Sequence, residues 1–172
     1  MTIANKLGPS YEAVRSAARI KTIKVNLSDV DFELKVRIPV KREMEELTHS
    51  IANPQETIVE EIYEKFAAPL KKTLEESGEG FLEALNSDGE KIKVVDNDII
   101  VNGTSIRQVS QMTAVWQLQV EKYFALIQTP TGEPVTESYE EIAEEFPEAA
   151  IREIVSKIDE AIRPNFKDTK KN

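Results

Sequence analysis

Glu46 and His49 stand three residues apart in a segment with helical spacing, so a carboxylate and an imidazole share one face, as in helical di-iron sites. Such a site needs two of these pairs plus two further carboxylates, and His49 is the chain's one histidine. His49 therefore reads as an exposed or half-buried helix residue near a C-terminus, where partial positive charge is welcome. Asp96, Asp98 and Asn102-Gly103 offer oxygens at a spacing partly like a calcium loop. Ile100 stands where the third oxygen ligand belongs and the glycine is misplaced, so turn chemistry is the expectation. Gly78-Glu79-Gly80 lacks the third glycine of a dinucleotide fingerprint and reads as a helix stop. The acid pairs Glu60 with Glu61, Glu140 with Glu141 and Glu144 with Glu145 lie among other charges and read as solvated faces. With no cysteine there is neither a thiolate nucleophile nor a Cys-based zinc site. No Ser-His-Asp order, Walker loop or His-Glu-x-x-His helix is present. The expectation is a protein that is not an enzyme, with no catalytic residue, cofactor or metal.

The 172 residues suit one domain with appendages. Hydrophobic residues at 40% are enough to bury a core, while a net charge of -9 disfavours nucleic acid and anionic membranes, because the summed field repels phosphate. The short basic runs at Lys41-Arg42, Lys71-Lys72 and the terminal lysines read as solvated. No stretch approaches the ~20 apolar residues of a membrane span, and residues 1–16 lack the apolar run of a secretory signal. A cytoplasmic working place is expected.

Period-two alternation at Ile23, Val25, Leu27 and again at Phe32, Leu34, Val36, Ile38 predicts a β-hairpin turning through Ser28, Asp29, Val30 and Asp31. A short helix over 11–19 precedes it, and Met44, Leu47 and Ile51 place a helix over 41–51 after Pro39. Asn53 as N-cap and Pro54 as first helical residue predict the next start. That helix carries Ile58, Ile62, Phe66, Leu70 and Leu74 at steps of four, with a kink or a restart at Pro69. A second, smaller hairpin is predicted over 91–101, turning at Asp96-Asn97-Asp98 and closed by Asn102-Gly103. Ser138 and Glu141 have capping-box spacing, Pro147 reopens a helix, and Arg163-Pro164 ends it. The fold class is thus α+β and mostly α-helical, with helices packed with one or two small antiparallel hairpins. As a single domain, 1–127 holds the hairpins and central helix, 128–134 a hinge loop, 135–164 a helical pair and 165–172 a disordered tail.

The stretch 105–127 reads helical yet carries only Arg107, Glu121 and Lys122 as charges, in a chain that is 31% charged. A helix so poor in charge is hidden from water, in a core or by another molecule. Both readings apply to Trp116, Val120, Tyr123 and Ile127 on this helix, and to Ile151, Ile154 and Ile158 on the last one. On the second reading these seven form a partner-binding surface.

The strand over 32–39 running straight into a charged helix, the aromatic-bearing helix over 111–127, and the closing helix opened by Phe146-Pro147 with Ile151, Ile154 and Ile158 together resemble tail assembly chaperones of long-tailed bacteriophages. The likeness covers most of the chain in layout, although the hairpin over 91–101 has no counterpart in it. The resemblance implies a mostly helical, non-enzymatic protein of the host cytoplasm, absent from the mature virion. Such a protein coats the tape measure protein, keeps it soluble and gives way as tail tube subunits polymerise, so the tail tube protein is a second partner. It also implies self-association and a longer form made by frameshifting near Lys170-Lys171-Asn172. Two other expectations stand beside it: a tail completion or head-tail joining protein that stays in the particle, and a small regulatory or ligand-binding domain with its pocket between the hairpins and the central helix.

Overall fold

The computed structural model describes residues 6–27, 30–78, 80–86 and 91–163. The protein is α+β and mostly helical, with a two-stranded and a three-stranded antiparallel sheet that do not join. In chain order its elements are α1 (Pro9–Ala18), β1 (Ile20–Leu27), β2 (Val30–Arg37), α2 (Lys41–Ala52), α3 (Glu56–Ser77), α4 (Phe81–Leu85), β3 (Ile92–Val95), β4 (Asp98–Val101), β5 (Thr104–Ser105), α5 (Ile106–Phe124), α6 (Tyr139–Glu145) and α7 (Glu148–Ile162). They form two compact units, residues 1–49 with 119–172, and residues 50–118.

In the first unit β1 and β2 pair with Ile23 opposite Leu34 and Val25 opposite Phe32, so the alternating apolar residues share one face. Ile23, Val25 and Val36 are buried there, and α7 lies against β1. The turn is tighter than the sequence suggests. Val30 and Asp31 sit in the ladder opposite Leu27 and Asn26, because each added pair satisfies backbone groups that a longer loop would leave to water. Lys21 shares the apolar face and sends its Nζ to the Ala161 carbonyl at 2.9 Å, capping α7 with a cation where the helix dipole is negative. The other edge of β2 is also occupied. Arg37 N donates to Leu126 O and Gln128 N to Lys35 O, both at 2.8 Å.

That pairing corrects the end of the central helix. Residues 125–127 leave the helix: Leu126 and Ile127 donate to Tyr123 and Phe124, three residues back, and Ile127 bridges Val36. The Ser138–Glu141 capping box forms as expected. Pro147 reopens the helix as the N-cap of α7, its ring fixing φ at −58° while ψ stays extended at 145°. Arg163 ends α7; Pro164 and the tail over 165–172 lie outside the described residues.

In the second unit α3 starts at Glu56. Gln55 stays extended as N-cap, so neither Asn53 nor Pro54 takes its predicted place. A cap is worth about 1 kcal/mol, less than burying any one of Val59, Ile62 and Tyr63 at about 1.5–3 kcal/mol each, so packing sets the register. The buried stripe is Val59, Ile62, Tyr63 and Ala67, while Phe66 of the predicted run is exposed. Steps of four drift by about 40° per turn, and the contact face instead follows steps of three and four. The helix runs through Pro69 without interruption.

Tyr63, Ala67 and Ile99 form one core cluster, flanked by Leu70, Ile92, Val101 and Ile106. The second hairpin gains a third strand. Asn102 at φ 49° and Gly103 at φ 78° turn β4 into β5, the left-handed pair that a two-residue hairpin turn requires. Two hydroxyls of α5 are satisfied within the helix: Ser110 is fully buried with its hydroxyl on Ile106 O at 2.8 Å, and Thr113 donates to Val109 O at 2.9 Å. α5 is not hidden all round, since Met112 is 66% exposed.

Candidate partner-binding groove

The side chains that could have done chemistry are engaged structurally. Glu46 takes the Arg42 Nε at 2.9 Å, one turn away on the exposed face of α2, and His49 is exposed. Asp98 is the anchor of the α5 N-terminus: its carboxylate accepts from Ser105 Oγ at 2.5 Å, Ile99 N at 2.8 Å and Arg107 N at 3.0 Å. Burial pushes its pKa up, but these three donors outweigh it and hold the group below its ordinary value. Ser105 Oγ in turn accepts from Gln108 N at 2.9 Å, completing the cap.

Glu60 is half-buried and paired, contrary to its reading as a solvated face. Arg107 reaches both its oxygens, at 2.7 and 3.5 Å, and lies 4.3 Å from the Tyr63 ring centre. Lys71 sits 5.4 Å from that centre and pairs with Glu64 at 2.9 Å. These residues border a cavity of about 830 Å³ within the 50–118 unit, with Asp96, Asn97 and Val94 on its far wall. Its two cations are each neutralised by a neighbouring carboxylate.

The other unit holds a different kind of cavity, of about 290 Å³. Its walls come from β2 (Phe32, Leu34), the end of α5 (Phe124) and the segment beyond it (Ile127), Val135, α6 (Ile142, with Phe146 just beyond) and α7 (Ile154). Alternation along β2 points Phe32 and Leu34 the same way, and the 126–128 segment held on the β2 edge brings Ile127 beside them. Phe146 meets Phe124 edge to face, with ring centres 5.8 Å apart. Glu121 Oε1 accepts from Tyr139 N at 2.9 Å and so fixes the entry of α6. Phe32, Leu34, Ile127, Val135 and Phe146 are each half-buried, leaving apolar surface facing an open space. Glu137, Glu141 and Glu145 complete the lining, all exposed, and no cation joins them among the described residues.

Of the seven residues expected at a partner surface, Ile127 and Ile154 line this groove. Val120, Tyr123, Ile151 and Ile158 are buried core of the same unit, each at most 2% exposed. Trp116 is half-buried and belongs to the 50–118 unit. Sequence reading missed Phe32, Leu34, Val135, Phe146 and the glutamates as one site. Their individual signals were visible as strand alternation and a helix break, but nothing local brings them together.

Compared with known proteins, the chain matches no family model, no curated protein and no solved structure. Among the described residues, no helix is long and apolar enough to cross a membrane.

Proposed function

We propose that this chain works by contact, as a non-enzymatic tail assembly chaperone of long-tailed bacteriophages. It binds the tape measure protein in the host cytoplasm, keeps it soluble, helps recruit tail tube subunits and is left out of the finished virion. The observation that supports this reading is the groove of half-buried apolar side chains with an acidic rim, which suits a partner segment better than a reaction. The sequence resemblance supplies the partner. A tape measure protein is long and helical, with apolar stripes that aggregate when bare, and an acidic chain offering an apolar groove would shield them.

The test is co-expression with long helical and tail tube proteins of the same genome, followed by pull-down and light scattering. Many copies retained on a tape-measure-like protein that precipitates alone are expected. A monomer that retains none of them overturns the reading, and finding the chain in purified virions by mass spectrometry would assign it to tail completion or head-tail joining instead.

A second reading rests on the 830 Å³ cavity of the 50–118 unit, whose size is in the range of small-ligand sites. A ligand there would raise the melting temperature in a small-molecule screen.

A further inference from the structure

We infer that the groove over Phe32, Ile127 and Phe146 takes the apolar stripe of an amphipathic helix whose flanking positions are Lys or Arg. The inference rests on the contact reading above and specifies the chemistry of the segment recognised. Shape comes first. The floor is made of large apolar side chains, of which Phe32, Leu34, Ile127, Val135 and Phe146 are half-buried and the rest buried, and a cavity of about 290 Å³ receives a few bulky side chains rather than an extended ligand. Residues at i, i+3, i+4 and i+7 of a helix present such a row from one face, which is the usual geometry of helix-in-groove recognition.

Charge decides the flanks. Glu141 and Glu145 stand one turn apart on α6 and Glu137 lies just before it, so three carboxylates edge the groove with no cation among its described lining residues. Two of them are held in place: Glu141 Oε2 accepts from Ser138 N and Glu137 Oε2 from Thr136 N, both at 2.8 Å. A bound helix with acidic flanks would meet like charge at this rim, and one with basic flanks would find partners without disturbing the floor.

The probe is a pair of labelled peptides with the same Leu/Phe stripe, one flanked by Lys and one by Glu, titrated against the full chain at low and high salt. The Lys-flanked peptide is expected to bind about tenfold more tightly, as three exposed charge pairs would give, with the difference shrinking in high salt. Amide shifts should map to β2, Ile127 and α6. The double substitution E137K/E145K, which spares the capping-box Glu141, should reverse the preference.

Equal binding of both peptides, a footprint elsewhere, or indifference to the charge reversal overturns the inference. So does a peptide-free dimer that the charge reversal dissociates, since the occupant is then a second copy. The tape measure pull-down is read separately: its failure with the peptide preference intact removes the phage partner and leaves the groove chemistry standing.

Discussion

The Tyr123 hydroxyl donates to Oδ1 of Asp159 at 2.5 Å, joining the last turn of α5 to the last turn of α7 across the core of the first unit. Arg163 Nε holds the same carboxylate oxygen at 2.9 Å. Burial first, and the Asp159 carboxylate second, push the Tyr123 pKa up. A raised folded-state pKa favours folding fully below the unfolded value of about 10, and that contribution is lost as pH rises through the folded value. Tyr123→Phe should therefore lower stability at pH 7 by about 1–2 kcal/mol, the cost of one charge-assisted hydrogen bond. It should also flatten the fall in stability above about pH 10. Urea unfolding at both pH values checks the pair of effects; an unchanged alkaline slope would show that Tyr123 is not its source.

Glu43 makes a second junction, at the open end of the first hairpin. One oxygen, Oε2, accepts from Val40 N at 2.9 Å, Arg19 Nη2 at 2.6 Å and Arg37 Nη1 at 2.8 Å, gathering the start of β1, the end of β2 and the start of α2. The Val40 amide, with the two guanidiniums, holds its carboxyl below the ordinary value against the effect of desolvation. A depressed folded-state pKa gives stability that is present above the unfolded value of about 4.3 and lost as pH falls through the folded one. Glu43→Gln should cost about 1 kcal/mol at pH 7, since water competes at a side chain 41% exposed. The gap between variant and parent should close as pH falls below the ordinary carboxylate range and through the lowered folded-state value, in an acid titration followed by circular dichroism.

Ile151 and Ile158 are fully buried on α7. Either substitution to Ala should cost about 2–5 kcal/mol by leaving a cavity, read as a lower denaturation midpoint at unchanged slope. A variant that loses partner binding while keeping its full stability would show that these side chains meet a partner rather than their own core.

Gly103 sits at φ +78° with open space where a Cβ would stand, so Gly103→Ala tests the backbone alone. A cost of about 1–2 kcal/mol is expected from the left-handed conformation. Hydrogen exchange should show the opening of β4 and β5 more than of the first sheet, and a neutral result would mean the turn can reorganise around the new methyl group.

How much of this was legible in the chain depends on the range of the forces involved. Alternation at Ile23, Val25, Phe32 and Leu34 specified the first hairpin, and Ser138 with Glu141 specified a helix start, because each signal is written within a few residues. The charge-poor stretch marked α5 as hidden, and the structure buries Val120, Tyr123 and Phe124 while leaving Met112 outside. Composition and helical spacing state how much apolar surface must be covered without saying which neighbour covers it.

Tertiary structure decided the remainder. The central helix stops at Phe124 because residues 126–128 find the open edge of β2, a pairing with residues some ninety positions away in sequence. The buried stripe of α3 follows Val59, Ile62, Tyr63 and Ala67 because those side chains meet Ala114, Ile99 and their flanking residues. The groove exists because β2 leaves Phe32 and Leu34, and the segments beyond α5 and α6 leave Ile127, Val135 and Phe146, only half covered, and its acidic edge arises because α6 turns Glu141 and Glu145 to the same side. Local preferences are worth about 1 kcal/mol or less per residue, whereas each buried side chain contributes about 1.5–3 kcal/mol. Where the two disagree, as at the start of α3 and the end of α5, packing sets the outcome.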